Sequence, residues 1–200
     1  MTTATLPPAA AHATLPPRAT VAAITASAAA ASAVASVPAA RWHGTPGFRV
    51  RPARREDGPA LAALSRPFVR AGALRERPLS LYLSRASDFL VAEAPDGSLE
   101  GCLALGEHPA AGVLYNFCVA SHRQGTGMGA RLLHAAFARA RARSLAALFT
   151  ATTGSGRLFL DNGFLPASPS LAPSAWAGSL DPGRGARVLS LALDTSPARS

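Results

Sequence analysis

No lysine occurs in this 200-residue sequence; all 20 of its Lys-plus-Arg positions are arginine. A Walker-type phosphate loop, which ends on a lysine, is thereby excluded. Because Arg and Lys serve equally well on most solvated surfaces, the bias points to GC-rich coding rather than to chemistry. Acidic residues are also scarce, 11 in all against those 20 arginines, leaving a formal charge of +9. The arginines are dispersed, and no cluster interleaves with aromatics, which make up only 6% of the chain. A nucleic-acid surface is therefore not expected, and attraction for an anionic cofactor is the more economical use of the charge. Cysteine occurs twice, at Cys102 and Cys118. Two are too few for a disulfide framework and lack metal-ligand spacing, so no metal is expected. Both lie in apolar stretches and read as reduced core residues of a cytoplasmic protein. No strongly apolar run approaches the roughly 20 residues a bilayer span needs. The nearest stretch, residues 20–40, is alanine and serine, so no membrane partner is expected.

The hydrophobic fraction, 48%, suffices for one domain core, although much of it is alanine. Residues 1–46 consist largely of Ala, Pro, Thr and Ser without an acid. Such a segment buries too little to offset its chain entropy and is expected to be a disordered leader. Its acid-free, hydroxyl-rich, Arg-bearing composition also resembles an organelle transit peptide, and "SVPAA" mimics a secretory cleavage site without a positive n-region. A folded domain is expected over 47–194, with a short tail at 195–200.

From Phe48 the texture changes. "FRVRPAR" alternates as a strand, and "REDGPALAALSRPFVRAG" carries helical spacing at Leu61, Leu64 and Phe68. "PLSLYLSRA" reads as a second short helix. "DFLVAEA" and "LEGCLALGE" read as a hairpin turning at Pro95-Asp96-Gly97, and "GVLYNFCVA" as a further strand. "MGARLLHAAFARARA" sets Leu132, Leu133, Ala136, Phe137 and Ala140 on one helical face. "LAALFTATT" is a strand, "GRLFLDNG" a short helix ended by Gly163, and "ARVLSLAL" a last strand. The order β-α-α-β-β-β-loop-α-β-α-β-β describes an α/β (α+β) sheet with mixed strand directions.

The stretch "RQGTGMGARLL" (123–133) joins a strand to a helix through glycines, a general solution for phosphate. From Gly125 it satisfies the dinucleotide pattern G-x-G-x-x-A; from Gln124 it satisfies Q-x-x-G-x-G, the pyrophosphate loop of acetyl-CoA-dependent transferases. A dinucleotide site wants an acid closing the next strand to hold the ribose, and "LAALFTATT" has none. That fingerprint also usually opens a fold, whereas three predicted strands intervene before this one. A purely structural glycine turn is the remaining reading.

"VASHRQGTGMGARLL" resembles the central motif of the GNAT acetyltransferases, and "RLFLDNGF" (157–164) resembles that family's later signature. Within the superfamily the chain is most similar to the amino-acid N-acetyltransferases that make N-acetylglutamate for arginine biosynthesis. The likeness covers roughly residues 48–193, through "RPFVRAGALRERPLSLYLSRASDFLVAE", "GCLAL", "FTATTGSGRLFLDNGF" and "DPGRGARVLSLAL". The resemblance implies a mixed, mostly antiparallel sheet with helices on both faces and a splay at the acetyl-CoA site. It places the pyrophosphate on the backbone N–H groups of Gln124, Gly125, Thr126, Gly127, Met128 and Gly129. The pantetheine arm is expected beside Phe117, Cys118 and Val119, with an N–H near Cys118 or Val119 polarising the thioester carbonyl.

At several positions the sequence departs from the synthase pattern. Val113 and Tyr115 stand where an E-x-R pair is common, Gly154 where an arginine often follows "TT", and Ala186 where the closing motif has serine. The tyrosine acid frequent in GNAT enzymes falls near Leu160. For an anionic substrate the candidates are Arg77, Arg184 and Arg187, since paired guanidinium forks suit a dicarboxylate. Tyr115 is the candidate for proton transfer, with a packed core tyrosine as the alternative. By strand alternation Asn116 is expected to face opposite to Tyr115. Glu107 and His108 are secondary candidates for a base, and His122 is read as a phosphate neighbour or a surface residue. No base is identified. The expected activity is acetylation of the α-amine of a small amino acid such as glutamate, in a possible homo-oligomer. The alternatives are acetylation of another small amine or a protein amine, and a non-catalytic acyl-CoA-binding module.

Overall fold

The computed structural model describes residues 47–193. The expected leader (1–46) and tail (195–200) lie outside the described residues. Strand β1 (Arg49–Pro52) leads through a 3-10 turn into helices α1 (Gly58–Arg70) and α2 (Leu79–Ser84). Strands β2 (Phe89–Glu93), β3 (Leu99–His108) and β4 (Ala111–Val119) form a meander, followed by helix α3 (Met128–Ala142) and strand β5 (Ala147–Thr152). A one-turn helix α4 (Arg157–Leu160), the two-residue strand β6 (Leu165–Pro166), a second one-turn helix α5 (Ser174–Ala177) and strand β7 (Arg187–Ala192) complete the domain. Helix α5 has no counterpart in the sequence reading, because "SAWA" is too short to display a helical period.

The seven strands run in the order β1-β2-β3-β4-β5-β7-β6. Only β4 and β5 pair in parallel, and every other neighbour pair is antiparallel. The β2–β3 turn forms at the expected Pro95-Asp96-Gly97, where Asp96 accepts from the Ser98 N–H at 2.9 Å. Both faces of the sheet are covered. On β2 and β3, Leu90, Ala92, Leu103 and Leu105 face one core with Leu132, Leu133, Ala136 and Phe137 of α3. The alternate residues Phe89, Val91, Cys102 and Ala104 face a second core with Leu61 of α1 and Tyr82 of α2. Burial of each large side chain contributes about 1.5–3 kcal/mol. Among the described residues no helix is long and apolar enough to cross a membrane.

Alternation fails at one place. Cys102 pairs with Cys118 and Ala104 with Tyr115, so two steps on β3 oppose three on β4. The extra residue is absorbed at Asn116, whose φ is +49°. A bulge of this kind resets the phase of the strand. Tyr115 and Asn116 therefore both face α1 and α2, correcting the expectation that they point to opposite faces. The Asn116 amide donates to the Ser65 hydroxyl at 2.9 Å and its carbonyl accepts from the Tyr82 hydroxyl at 3.3 Å. Asn tolerates the left-handed region better than most side chains, and here two helices hold it there.

Candidate active site

Pairing between β4 and β5 runs from Ala111↔Ala147 to Leu114↔Thr150 and stops. Beyond it β5 follows β7 as far as Thr152↔Arg187, while β4 follows β3 as far as Gly101↔Val119. The two strands splay apart, leaving one edge of β4 from Tyr115 onward without a neighbour strand. The phase of that edge follows from the Ala120 N–H, which bonds the Glu100 carbonyl of β3 at 2.7 Å. Cys118, two residues earlier, shares that direction, so Phe117 and Val119 turn their backbone groups toward the opening. Cys118 is thus a poor fit to its expected cofactor role: its backbone faces β3, and its thiol lies 3.5 Å from that of Cys102 in the second core. Phe117 and Val119 offer the N–H groups.

The glycine loop stands at the far end of the opening. Gly125 and Gly127 have φ of +77° and +83°, which only glycine adopts without strain, and Gly127 caps the N-terminus of α3. Among the described residues the N–H groups of Gly125, Gly127, Met128 and Gly129 have no acceptor in the protein. An array of orphan donors at the positive end of a 15-residue helix suits a pyrophosphate. Two expected donors are already used, since the Gln124 N–H bonds Ser121 at 3.3 Å and the Thr126 N–H bonds Arg123 at 3.4 Å. The Gln124 side chain instead donates to the Val119 carbonyl at 3.1 Å, and the Thr126 hydroxyl to the Arg123 carbonyl at 2.6 Å. Met128 contributes only its N–H, because its side chain is fully buried in the first core. Gly129 lets the helix approach the strand; a Cβ there would lie 3.1 Å from Leu158 and 3.5 Å from Phe117.

Glu100, unnoticed in the sequence, anchors this loop from below. Its carboxylate meets the Arg123 guanidinium at 2.8 Å and the His122 ring at 3.2 Å. Burial raises its pKa, but the hydrogen bonds from Arg123 and His122 outweigh that and hold it below the ordinary glutamate value. His122 is thus a loop brace rather than a free base.

Across the sheet, a cleft of about 620 Å³ opens between α2, β3, β4 and the segment before β7. Arg77, Tyr115 and Arg184 converge on it, together with Glu107 and His108. The Arg77 guanidinium stacks over the Tyr115 ring at 5.0 Å and has no acid or carbonyl partner among the described residues. Arg184 donates to the Gly72 carbonyl at 2.6 Å, and Arg75 to the Ser179 carbonyl at 2.8 Å, so two guanidinium tethers join the α1–α2 loop to the segment before β7. Arg187 is turned away from the cleft, contrary to expectation, donating to the carbonyls of Gly154 and Ser155 at 3.1 and 2.8 Å. It braces the loop after β5, a role decided by β7 register. The Tyr115 hydroxyl donates to Asp88 at 2.9 Å. Burial, the nearby Asp88 charge and that hydrogen bond push the phenol pKa up, so it stays neutral. Among the described residues no cluster of three or more His, Cys, Asp or Glu side chains is placed to hold a metal.

Comparison with known proteins agrees with this geometry. Residues 85–165 match the acetyltransferase (GNAT) domain family. The amino-acid acetyltransferase of Ralstonia nicotianae is 39% identical over 121 residues, 60% of this chain and 27% of that protein. The amino-acid acetyltransferase of Neisseria meningitidis serogroup B is 34% identical over 126 residues, 62% of this chain and 29% of that protein. The chain thus spans less than a third of the length of these curated relatives. Among solved structures, the N-acetylglutamate synthase of Neisseria gonorrhoeae, complexed with coenzyme A and N-acetyl-glutamate, is 31% identical with a TM-score of 0.69, covering 73% of this chain and 35% of that one. A Mycobacterium tuberculosis protein in complex with CoA is 25% identical with a TM-score of 0.62, covering 72% of this chain and 99% of that one. The splayed strands, the orphan amides of the glycine loop and these matches lead to one assignment: the chain carries a GNAT acetyltransferase domain.

Proposed function

We propose that this chain is an acetyl-CoA-dependent N-acetyltransferase whose acceptor is the α-amine of an acidic amino acid, glutamate first. The carrying observation is the Arg77 guanidinium, which among the described residues has no acid or carbonyl partner and is stacked over Tyr115 in a cleft that meets the opening between β4 and β5. A guanidinium stacked on a ring, with its N–H groups not taken by an acid or carbonyl, is a ready receptor for a substrate carboxylate. The orphan amides of Gly125, Gly127, Met128 and Gly129 take the pyrophosphate of acetyl-CoA, and the open edge at Phe117 and Val119 takes the pantetheine arm. An N–H of that edge stabilises the oxyanion as the amine attacks the thioester. Acceptance of CoA and an acetylated amino acid by the Neisseria gonorrhoeae synthase supports the reading.

A second reading is favoured by Val113, which is buried and apolar where the synthase pattern carries an acid. It assigns the same donor chemistry to a different small amine. A thiol-release assay with acetyl-CoA across amino acids, polyamines and peptides separates the two. Turnover on glutamate or aspartate is expected, and its absence alongside polyamine or peptide turnover overturns the first reading.

A further inference from the structure

The resemblance to the synthases leaves the reaction without a proton acceptor, because the strand position expected to hold an acid is Val113. We propose that Asp88, acting through the Tyr115 hydroxyl, receives the proton that the attacking amine gives up. The inference rests on the acetyl-transfer reading above and adds the destination of the proton.

Four observations carry it. Tyr115 is the first residue of β4 beyond the last β4–β5 pair, Leu114↔Thr150, so its backbone stands where the strands part while its ring lies over Gly106 of β3 along the cleft. Its hydroxyl donates to the Asp88 carboxylate at 2.9 Å, which leaves the phenol oxygen lone pairs to accept an N–H from the cleft. Its ring is fixed by the Phe89 edge at 5.7 Å and lies under Arg77, the group assigned to the substrate carboxylate. An α-amine is two bonds from its carboxylate carbon, so a substrate seated on Arg77 carries its amine close to the phenol. Asp88 itself is placed by backbone: Arg139 of α3 donates to the carbonyls of Ser87 at 2.6 Å and Asp88 at 3.5 Å, pinning the 3-10 turn Ala86–Asp88 at the end of the sheet.

Of the three other acids on the cleft, Glu107 and Asp181 are engaged elsewhere, and the third is Glu76 of the α1–α2 loop. Glu107 pairs with Arg143 at 3.3 Å, and Asp181 accepts from the Gly183 N–H at 2.9 Å. The charged groups around Asp88 are Arg85, at 3.8 Å, Arg77 beyond the Tyr115 ring, and Arg139 on the backbone. The carboxylate itself lies on the Tyr115 hydroxyl, so a proton passed through the phenol reaches it directly. Burial keeps the phenol neutral, so Tyr115 conducts a proton rather than storing a charge.

The step balances without a co-reactant. The neutral amine nitrogen forms a bond to the thioester carbonyl carbon. Its N–H proton moves to the Tyr115 oxygen while the Tyr115 proton moves to Asp88. The C–S bond then breaks with its electron pair on sulfur. The return transfer, from Asp88 through Tyr115, protonates the thiolate and restores both groups. Tyr115 is the catalytic residue, since it meets the amine, and Asp88 acts through it.

The test compares the full chain with Asp88→Asn, Tyr115→Phe and the double variant, using acetyl-CoA and the acidic amino acid turned over by the wild type. Asparagine still accepts from the phenol but cannot take the proton. Each single variant is expected to lose roughly 100-fold in kcat at pH 7, the double variant no more than either, with KM for the amino acid and calorimetric acetyl-CoA affinity within about threefold. The deficit is expected to narrow as pH rises toward about 9–10, where solvent base takes the proton instead. Asp88→Asn turning over within about fivefold of the wild type overturns the relay. So does a loss that stays constant with pH or comes with lost acetyl-CoA affinity, because that marks a structural role. A wild type that acetylates other amines but no acidic amino acid overturns the acceptor reading, and the relay is then judged on the amine it accepts. A wild type that acetylates nothing overturns both.

Discussion

The Asn116 side-chain amide lies 2.9 Å from the Ser65 hydroxyl, tying the left-handed residue of β4 to helix α1. Ser65 passes the connection on to the Leu61 carbonyl at 2.8 Å, so the bulge is held by a buried chain of hydrogen bonds rather than by β4 alone. Asn116→Val should destabilise the protein by about 2–4 kcal/mol, combining left-handed strain with unpaired Ser65 and Tyr82 hydroxyls. Asn116→Gly keeps the backbone and loses only the network, about 1–2 kcal/mol. Urea unfolding of the two variants checks the difference; equal stability would remove the strain argument.

Gly127→Glu sets a carboxylate against the orphan amides at the start of α3. Acetyl-CoA affinity is expected to fall roughly 100-fold or more, about 3 kcal/mol. Gly127→Ala shares the left-handed strain, about 1–2 kcal/mol in stability, without the charge. Calorimetry on both separates the two effects, and unchanged affinity in a folded Gly127→Glu protein would refute the loop assignment.

Glu100→Gln should loosen His122 and Arg123 beneath the loop. Because the folded Glu100 pKa is lowered, its contribution to stability is full above the ordinary glutamate range, about pH 4.3, and is lost as pH falls through the lowered value. Thermal melts of wild type and variant should therefore differ by a few degrees at pH 7 and converge in acid. A gap that widens in acid would contradict the assignment.

Arg77→Met is expected to raise KM for an acidic amino acid by roughly 10–100-fold while changing kcat less than about threefold. Arg184→Met, already half-committed to the Gly72 carbonyl, should raise it less. Arg187→Met should leave KM unchanged and act on stability through the Gly154 and Ser155 carbonyls. Steady-state kinetics of the three variants orders them.

The residues alone determined the element order apart from α5, and the glycine loop; helices on both faces of the sheet followed from the family resemblance. What the residues gave is written in short-range pattern: the alternation of β1, the 3.6-residue stripe of α3, and glycines where the backbone must turn left-handed. What only the tertiary structure decided depends on contacts distant in sequence. Asn116 and Tyr115 share a face because Ser65 and Tyr82 hold a bulge that periodicity cannot show. Cys118 and Arg187 leave the site because strand register, set by β3 and β5, turns them away. Asp88 and Glu100 enter it because folding brings them against Tyr115, 27 residues further on, and His122, 22 residues further on. A lone acid in a sequence has no visible partner until the chain folds around it.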